Sequence, residues 1–196
     1  MDYPTIAGHR PPVLVTLKDP SITVTRQYAL TPETHKGLKS IIVCLLQASI
    51  LVPTHSPHNT LILAVRKGDS WRVVQDLQKF SEATVPTFPV VPSPYTLLSS
   101  IPPAVTFFTV LNIKDAFFTI LLQPWSQPLF AFTCQDQISQ QLTWTVLPQG
   151  FRDSPHFFGK ALQKDLQLLN LDPNHLLQYV DDSFRYLAKL IQLCKV

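Results

Sequence analysis

Eighteen prolines against five glycines constrain this 196-residue chain more than any other feature. Proline fixes φ, removes a backbone donor and biases its predecessor away from helix. The chain is therefore expected to be strand-rich with stiff connections. Residues 13–17 and 22–24 alternate as exposed-edge strands do. Thr31-Pro32 then offers an N-cap followed by proline at the first helical position. Leu38, Ile41, Ile42, Leu45 and Leu46 recur at helical spacing, which predicts a helix from Pro32 to about Ala48. Residues 61–65 and 71–74 read as a hairpin joined through Lys67-Gly68-Asp69-Ser70. The prolines cluster again between Pro86 and Pro103, a connecting segment between two halves. Beyond it, residues 107–111 read as strand, 117–122 as strand or short mixed structure, 129–133 with 142–146 as a hairpin, and 154–169 as a helix. Residues 176–180 and 184–187 flank an acidic turn. Interleaved helices and hairpins of this kind predict an α+β fold.

Composition narrows the function classes. With 45% hydrophobic and 15% charged residues, the chain can bury a sizeable core and suits one domain or two small subdomains. A net charge of +3 and a pI near 8.8 permit a polyanionic partner without requiring one, because no basic block is longer than Arg66-Lys67. Cys44, Cys134 and Cys194 are odd in number and widely spaced, so neither a disulfide framework nor a zinc motif is indicated. His55 and His58 flank Pro57 and lack further ligands for a metal. The sequence shows no signal peptide and no apolar run near the ~18 residues of a membrane span. No membrane association and an intracellular location, cytoplasmic or nuclear, are expected.

The chemistry-bearing feature is Gln178-Tyr179-Val180-Asp181-Asp182, an acidic pair at the tip of an apolar run. Adjacent carboxylates after a strand, joined by another from a distant strand end, can gather hard divalent cations for phosphoryl chemistry. The distant strand end is Val110-Leu111-Asn112-Ile113-Lys114-Asp115. There Asn112 stands where that chemistry wants aspartate.

Several blocks occur in one order along the chain: Ile50-Leu51-Val52-Pro53 with Ser56-Pro57-His58-Asn59-Thr60, Trp71-Arg72-Val73-Val74-Gln75-Asp76-Leu77, and Pro94-Tyr95-Thr96-Leu97-Leu98. Then follow Lys114-Asp115-Ala116-Phe117-Phe118, Ser126-Gln127-Pro128-Leu129-Phe130-Ala131-Phe132, Leu142-Thr143-Trp144-Thr145, Leu147-Pro148-Gln149-Gly150-Phe151 and Tyr179-Val180-Asp181-Asp182. The series resembles the fingers and palm of a retroviral reverse transcriptase, of the gammaretroviral and related endogenous-retroviral type, from about Pro11 to Asp182. The resemblance implies a right-hand polymerase fold. Residues 1–85 would be a fingers-like part, 86–103 the Pro-rich connection, 104–187 a partial palm with the acidic hairpin, and 188–196 a divergent tail.

The resemblance also implies roles. Asp181, Asp182 and Asn112 (in place of Asp) would be the catalytic and metal-binding positions, with the Ile113 carbonyl beside them and Mg²⁺ (or Mn²⁺) as cofactor. Lys67 and Arg72 would grip the incoming triphosphate, as a point cation and a bidentate guanidinium can. Asp115 and Ala116 would offer backbone N–H groups to the same phosphates. Phe117 would be the gate under the sugar, and Gln149 would pack near nucleotide and template. The implied partners are an RNA or DNA template-primer and deoxynucleoside triphosphates.

Departures from the family pattern carry equal information. Asn112 offers a neutral amide oxygen, so the site loses one negative charge against divalent cations. Gln78 stands where the family usually has Arg, and Ser81 where it usually has Asn. After Asp182 the chain runs through Ser183-Phe184-Arg185-Tyr186 in place of an apolar strand. Nothing in the sequence matches a thumb, a connection or an RNase H domain, so a truncated, inactive polymerase is expected, with self-association through an uncovered palm surface. The alternative is a non-catalytic nucleic-acid-binding or protein-binding relic, or an unselected fragment. Without the resemblance, Asp181-Asp182 is a solvated turn, Lys67 and Arg72 a charged hairpin end, and Phe107, Phe108, Phe117 and Phe118 core residues.

Overall fold

The computed structural model describes residues 6–68, 70–87, 93–134, 140–168, 176–179 and 182–187, with the backbone alone for Lys67, Ser70, Leu176 and 182–187. It is a mixed helix and strand structure with antiparallel sheets, divided into two compact units. Unit 1 comprises Met1–Thr87 and Phe117–Ser154, and unit 2 comprises Phe88–Ala116 and Pro155–Val196. Both are therefore discontinuous in sequence.

Unit 1 begins its regular structure with α1 (Pro32–Gln47), which starts where the cap predicts. The Thr31 side chain accepts a hydrogen bond from the Thr34 N–H at 3.2 Å, Pro32 follows, and Glu33 lies in the first turn. The helix ends in a Schellman arrangement: Ile50 N–H donates to Leu45 O and Ser49 N–H to Leu46 O, both at 3.0 Å. Ser49 adopts φ 56° there, the left-handed conformation that glycine ordinarily supplies. Leu38, Ile42 and Leu45 of α1 are buried. Gly37 is buried as well, and a Cβ on it would fall inside van der Waals contact with the Trp71 indole.

Strands β1 (Leu51–Pro53), β2 (Ile62–Lys67) and β3 (Ser70–Gln75) follow, then α2 (Gln78–Ala83). β2 and β3 form the expected hairpin, with Lys67 opposite Ser70 and Gly68 at φ 60° in the turn. Strands β5 (Phe132–Cys134) and β6 (Gln140–Trp144) join β1 in a sheet of order β1-β6-β5. The core of unit 1 is closed by Phe80, Phe130 and Phe151. Their ring centroids lie 4.6–5.7 Å apart, largely edge to face.

The structure corrects the expected strands at 13–17 and 22–24. Those segments make isolated bridges, Val13 to Leu122, Leu17 to Thr84 and Val24 to Asn59. The reason is visible at Val15, whose N–H goes to Ser126 Oγ at 2.8 Å and not to a neighbouring strand. Two 3₁₀ turns, Ala116–Thr119 and Gln127–Phe130, occupy stretches read as strand or mixed structure.

Unit 2 contains α3 (Pro94–Ser99), inside the segment read as a connection, and strand β4 (Phe107–Asn112). Helix α4 (Ser154–Leu168) follows, all but its first residue in unit 2, then β7 (Leu176–Tyr179) and β8 (Asp182–Leu187). Its sheet has the order β4-β8-β7, antiparallel throughout. The expected tail, 188–196, lies outside the described residues. All six residues of β4 are exposed, among them Phe108 at 58%, Val110 at 57% and Leu111 at 60%.

Candidate active site

The candidate residues fall on both units, and each set has its own geometry. In unit 2, β4 ends at Asn112, whose Cα partner across the sheet is Asp182, the first residue of β8. Asp182 in turn faces Tyr179, the last residue of β7. The sheet thus brings Asn112, Asp182 and Tyr179 into one row despite their separation in sequence. Asp181 lies outside the described residues. Ile113 is half-buried and Lys114 exposed as the chain leaves β4. Asp115 then takes φ 51°, a conformation tolerated best by Asn, Asp and Gly, and Ala116 is buried at the start of the 3₁₀ turn.

In unit 1, Val65 pairs with Arg72 and Lys67 with Ser70, so positions 67 and 72 share one side of the β2–β3 ribbon. The Arg72 residue is exposed. On the other side Arg66 meets Glu33 at 3.5 Å, an exposed pair that contributes little. Phe117 is half-buried, whereas Phe118 stacks on Trp144 with centroids 5.3 Å apart. Gln149 is half-buried between buried Pro148 and exposed Gly150. Gly150 needs to be glycine on two counts: its φ is 93°, and a Cβ would lie 3.2 Å from the Gln75 carbonyl oxygen.

An open groove of ≈ 610 Å³ runs beside Gly150, lined by Leu63, Val74, Asp76, Gln78, Glu82 and Arg152 among others. The groove carries both Asp76 and Glu82. Arg152 bonds to the buried Asp153 carboxylate at 3.0 Å and reaches Thr84 Oγ1 at 3.2 Å. Gln78 uses its N–H to bond Asp76 Oδ1 at 3.0 Å, and Ser81 is buried beneath it. Sequence reading did not find Glu82, Arg152 or Asp153, although Arg152-Asp153 follows directly on the Leu147–Phe151 block. It also missed Gln75 as a structural centre. That buried amide accepts from Trp144 Nε1 at 2.6 Å and donates to Thr60 Oγ1 at 2.5 Å and to Phe130 O at 2.9 Å.

His58 is structural. It is buried, its Nδ1 accepts the Thr23 N–H at 3.2 Å, and burial pushes its pKa below the ordinary 6.5. Among the described residues no cluster of three or more His, Cys, Asp or Glu side chains could hold a metal, and no helix is long and apolar enough to cross a membrane.

Comparison with known proteins gives this arrangement a context. The family model described as reverse transcriptase (RNA-dependent DNA polymerase) matches residues 65–193. The chain is 46% identical over 185 residues to the Gag-Pol polyprotein of Koala retrovirus and 45% identical over 185 to that of Gibbon ape leukemia virus. It is 46% identical over 187 residues to that of Avian reticuloendotheliosis virus. These alignments cover 90–91% of this chain and 11–16% of the polyproteins, so the chain spans only a small part of their length. The chain belongs to the reverse transcriptase family, as a domain of the retroviral Pol type.

Proposed function

We propose that this chain is the fingers and part of the palm of a right-hand polymerase whose metal centre is impaired, so that it does not sustain RNA-directed DNA synthesis. The observation that carries the reading is the pairing of Asn112 with Asp182 across β4 and β8. The donor set of Asp181, Asp182, the Asn112 amide oxygen and the Ile113 carbonyl is all oxygen, which suits a hard cation in ligand type but is one charge short. Bound Mg²⁺ (or Mn²⁺) would supply activation of a primer hydroxyl and neutralisation of a leaving pyrophosphate. Asn112 cannot supply its share of the anionic charge. A loss of about three decades in rate corresponds to ~4 kcal/mol of transition-state stabilisation.

The other assignments in this reading are Lys67 and Arg72 for the triphosphate, the Asp115 and Ala116 N–H groups for its phosphates, Phe117 for the sugar and Gln149 for the nucleotide. The exposure of Arg72 supports its role. Gln78 in place of arginine, with Asp76 and Glu82 along the same groove, argues for weakened hold on a nucleic-acid strand. A second reading, association with another chain, draws support from the uncovered apolar strand β4.

Primer extension on an RNA template with Mg²⁺ or Mn²⁺ tests the main reading. The unaltered chain should incorporate no more nucleotide than a control carrying Asp181→Ala and Asp182→Ala. Incorporation clearly above that control would overturn it. Asn112→Asp should tighten divalent-cation binding measured by calorimetry.

A further inference from the structure

We infer that Trp71, seated on the bare backbone of Gly37, is a positioning residue for Arg72, a role that rests on the reading of Arg72 as a triphosphate contact. A helix interior ordinarily disfavours glycine, yet Gly37 lies inside α1 and is buried. An added Cβ there would stand 2.6 Å from both Cγ and Cε2 of the Trp71 indole and closer still to Cδ2, distances that real Cβ atoms do not adopt. The place of Cγ is set by the Trp71 backbone and its first torsion, so the ring could not clear a Cβ without changing rotamer or lifting its strand. Glycine at position 37 is therefore the seat that the indole requires.

The seat matters because of where it lies on the hairpin. Strand alternation puts Trp71 on one face with its partner Arg66, and Arg72 on the other with its partner Val65. The Trp71 face is buried at the far end of the ribbon, by Ile62 and Gln75, but Arg66 beside Trp71 is exposed. Among the described residues β2 and β3 form a two-stranded sheet of their own, and a lone ribbon is marginal unless it packs on something else. Near the turn that packing is against α1, through the Trp71 seat and the exposed Arg66–Glu33 pair, and the pair contributes little. Arg72, next in the chain and exposed on the opposite face, is therefore carried by the strand that the indole fastens. A guanidinium bonds a phosphate strongly only when its fork is aligned, so the seat on α1 decides how well Arg72 can do so.

The test uses the 196-residue chain and a fluorescent deoxyadenosine triphosphate, labelled on the 3′-oxygen, titrated well below the melting transition of each variant. Alanine is the better helix former, so Gly37→Ala can weaken binding only by displacing the ring. It should raise the dissociation constant about tenfold, the worth of one well-aligned charge-assisted bond, and Trp71→Ala should do the same. The double variant should bind no more weakly than Trp71→Ala alone, because a methyl at position 37 meets nothing once the indole is gone. Trp71→Phe keeps a ring in the seat and should retain most of the affinity, which serves if Trp71→Ala does not fold. A merely structural role would lower the melting temperature and leave the affinity of the folded chain unchanged. That result, with Arg72→Ala still weakening the nucleotide, would overturn the inference alone. Failure of the unaltered chain to bind the nucleotide better than Arg72→Ala does would overturn the triphosphate reading itself, and this inference with it.

Discussion

Replacing Gln75 by methionine should cost about 2–6 kcal/mol, because it leaves buried polar groups without partners while hardly changing side-chain volume. The indole N–H of Trp144 gives its bond to Gln75 Oε1, and Phe130 O receives one from Nε2. Trp144 is 3% exposed and Phe130 fully buried, so water cannot replace either bond. Thr60 Oγ1 loses a partner too, but it still donates to Ala131 O at 3.2 Å. Two orphaned groups at about 1–3 kcal/mol each give the estimate. Urea unfolding followed by tryptophan fluorescence reads the change as a fall in midpoint at constant slope. The companion variant is Trp144→Phe. Combined with Gln75→Met, it removes donor and acceptor together, and the double variant should be less damaged than the two singles added, by about 1–2 kcal/mol. A Gln75→Met chain within ~1 kcal/mol of the parent, or strict additivity in the cycle, would refute the idea that this amide holds β3 to β6.

Ser49→Gly should raise stability by about 0.5–1 kcal/mol in the same assay, since it relieves a left-handed serine at the end of α1. His58 is held in its neutral form by burial and by accepting the Thr23 N–H, so its folded pKa lies below the unfolded value. Its contribution is complete above pH 6.5 and is lost as pH falls from there through the folded pKa, because the unfolded chain takes up the proton first. Stability against pH for His58→Gln should be flatter over that interval. Phe108→Lys or Leu111→Lys should shift any self-associated form toward monomer in size-exclusion chromatography, with little change in folding, because both positions are exposed on β4.

Local signals explain which elements the sequence made legible. α1 was readable because its cap, its proline and its apolar spacing all agree, and the β2–β3 hairpin because Gly68 lies between alternating strands. Residues 13–17 carried a strand pattern without a strand's partner, and an alternating pattern cannot reveal that Ser126 Oγ takes the Val15 N–H. α2 and α3 have six residues each, too few for periodicity to register, and Phe80 is the single fully buried anchor of α2. The row containing Asn112 and Asp182 could be reached only through resemblance, since no local rule pairs strand ends so far apart. Gln178 belongs to the acidic motif, but its bond to Gly159 O depends on where a helix carbonyl lies in space.

The strand order β4-β8-β7 has a temporal side. Asn112 is made about seventy positions before Asp182, its partner. At about 5–20 residues per second, a ribosome would need roughly 4–14 s to deliver β8 after β4 is complete. Through that interval an uncharged strand of Phe107, Phe108, Thr109, Val110, Leu111 and Asn112 has no sheet to join. The nascent chain is thus most exposed to aggregation and to chaperone capture during synthesis of α4, and the yield of soluble protein should respond to translation speed over residues 113–181.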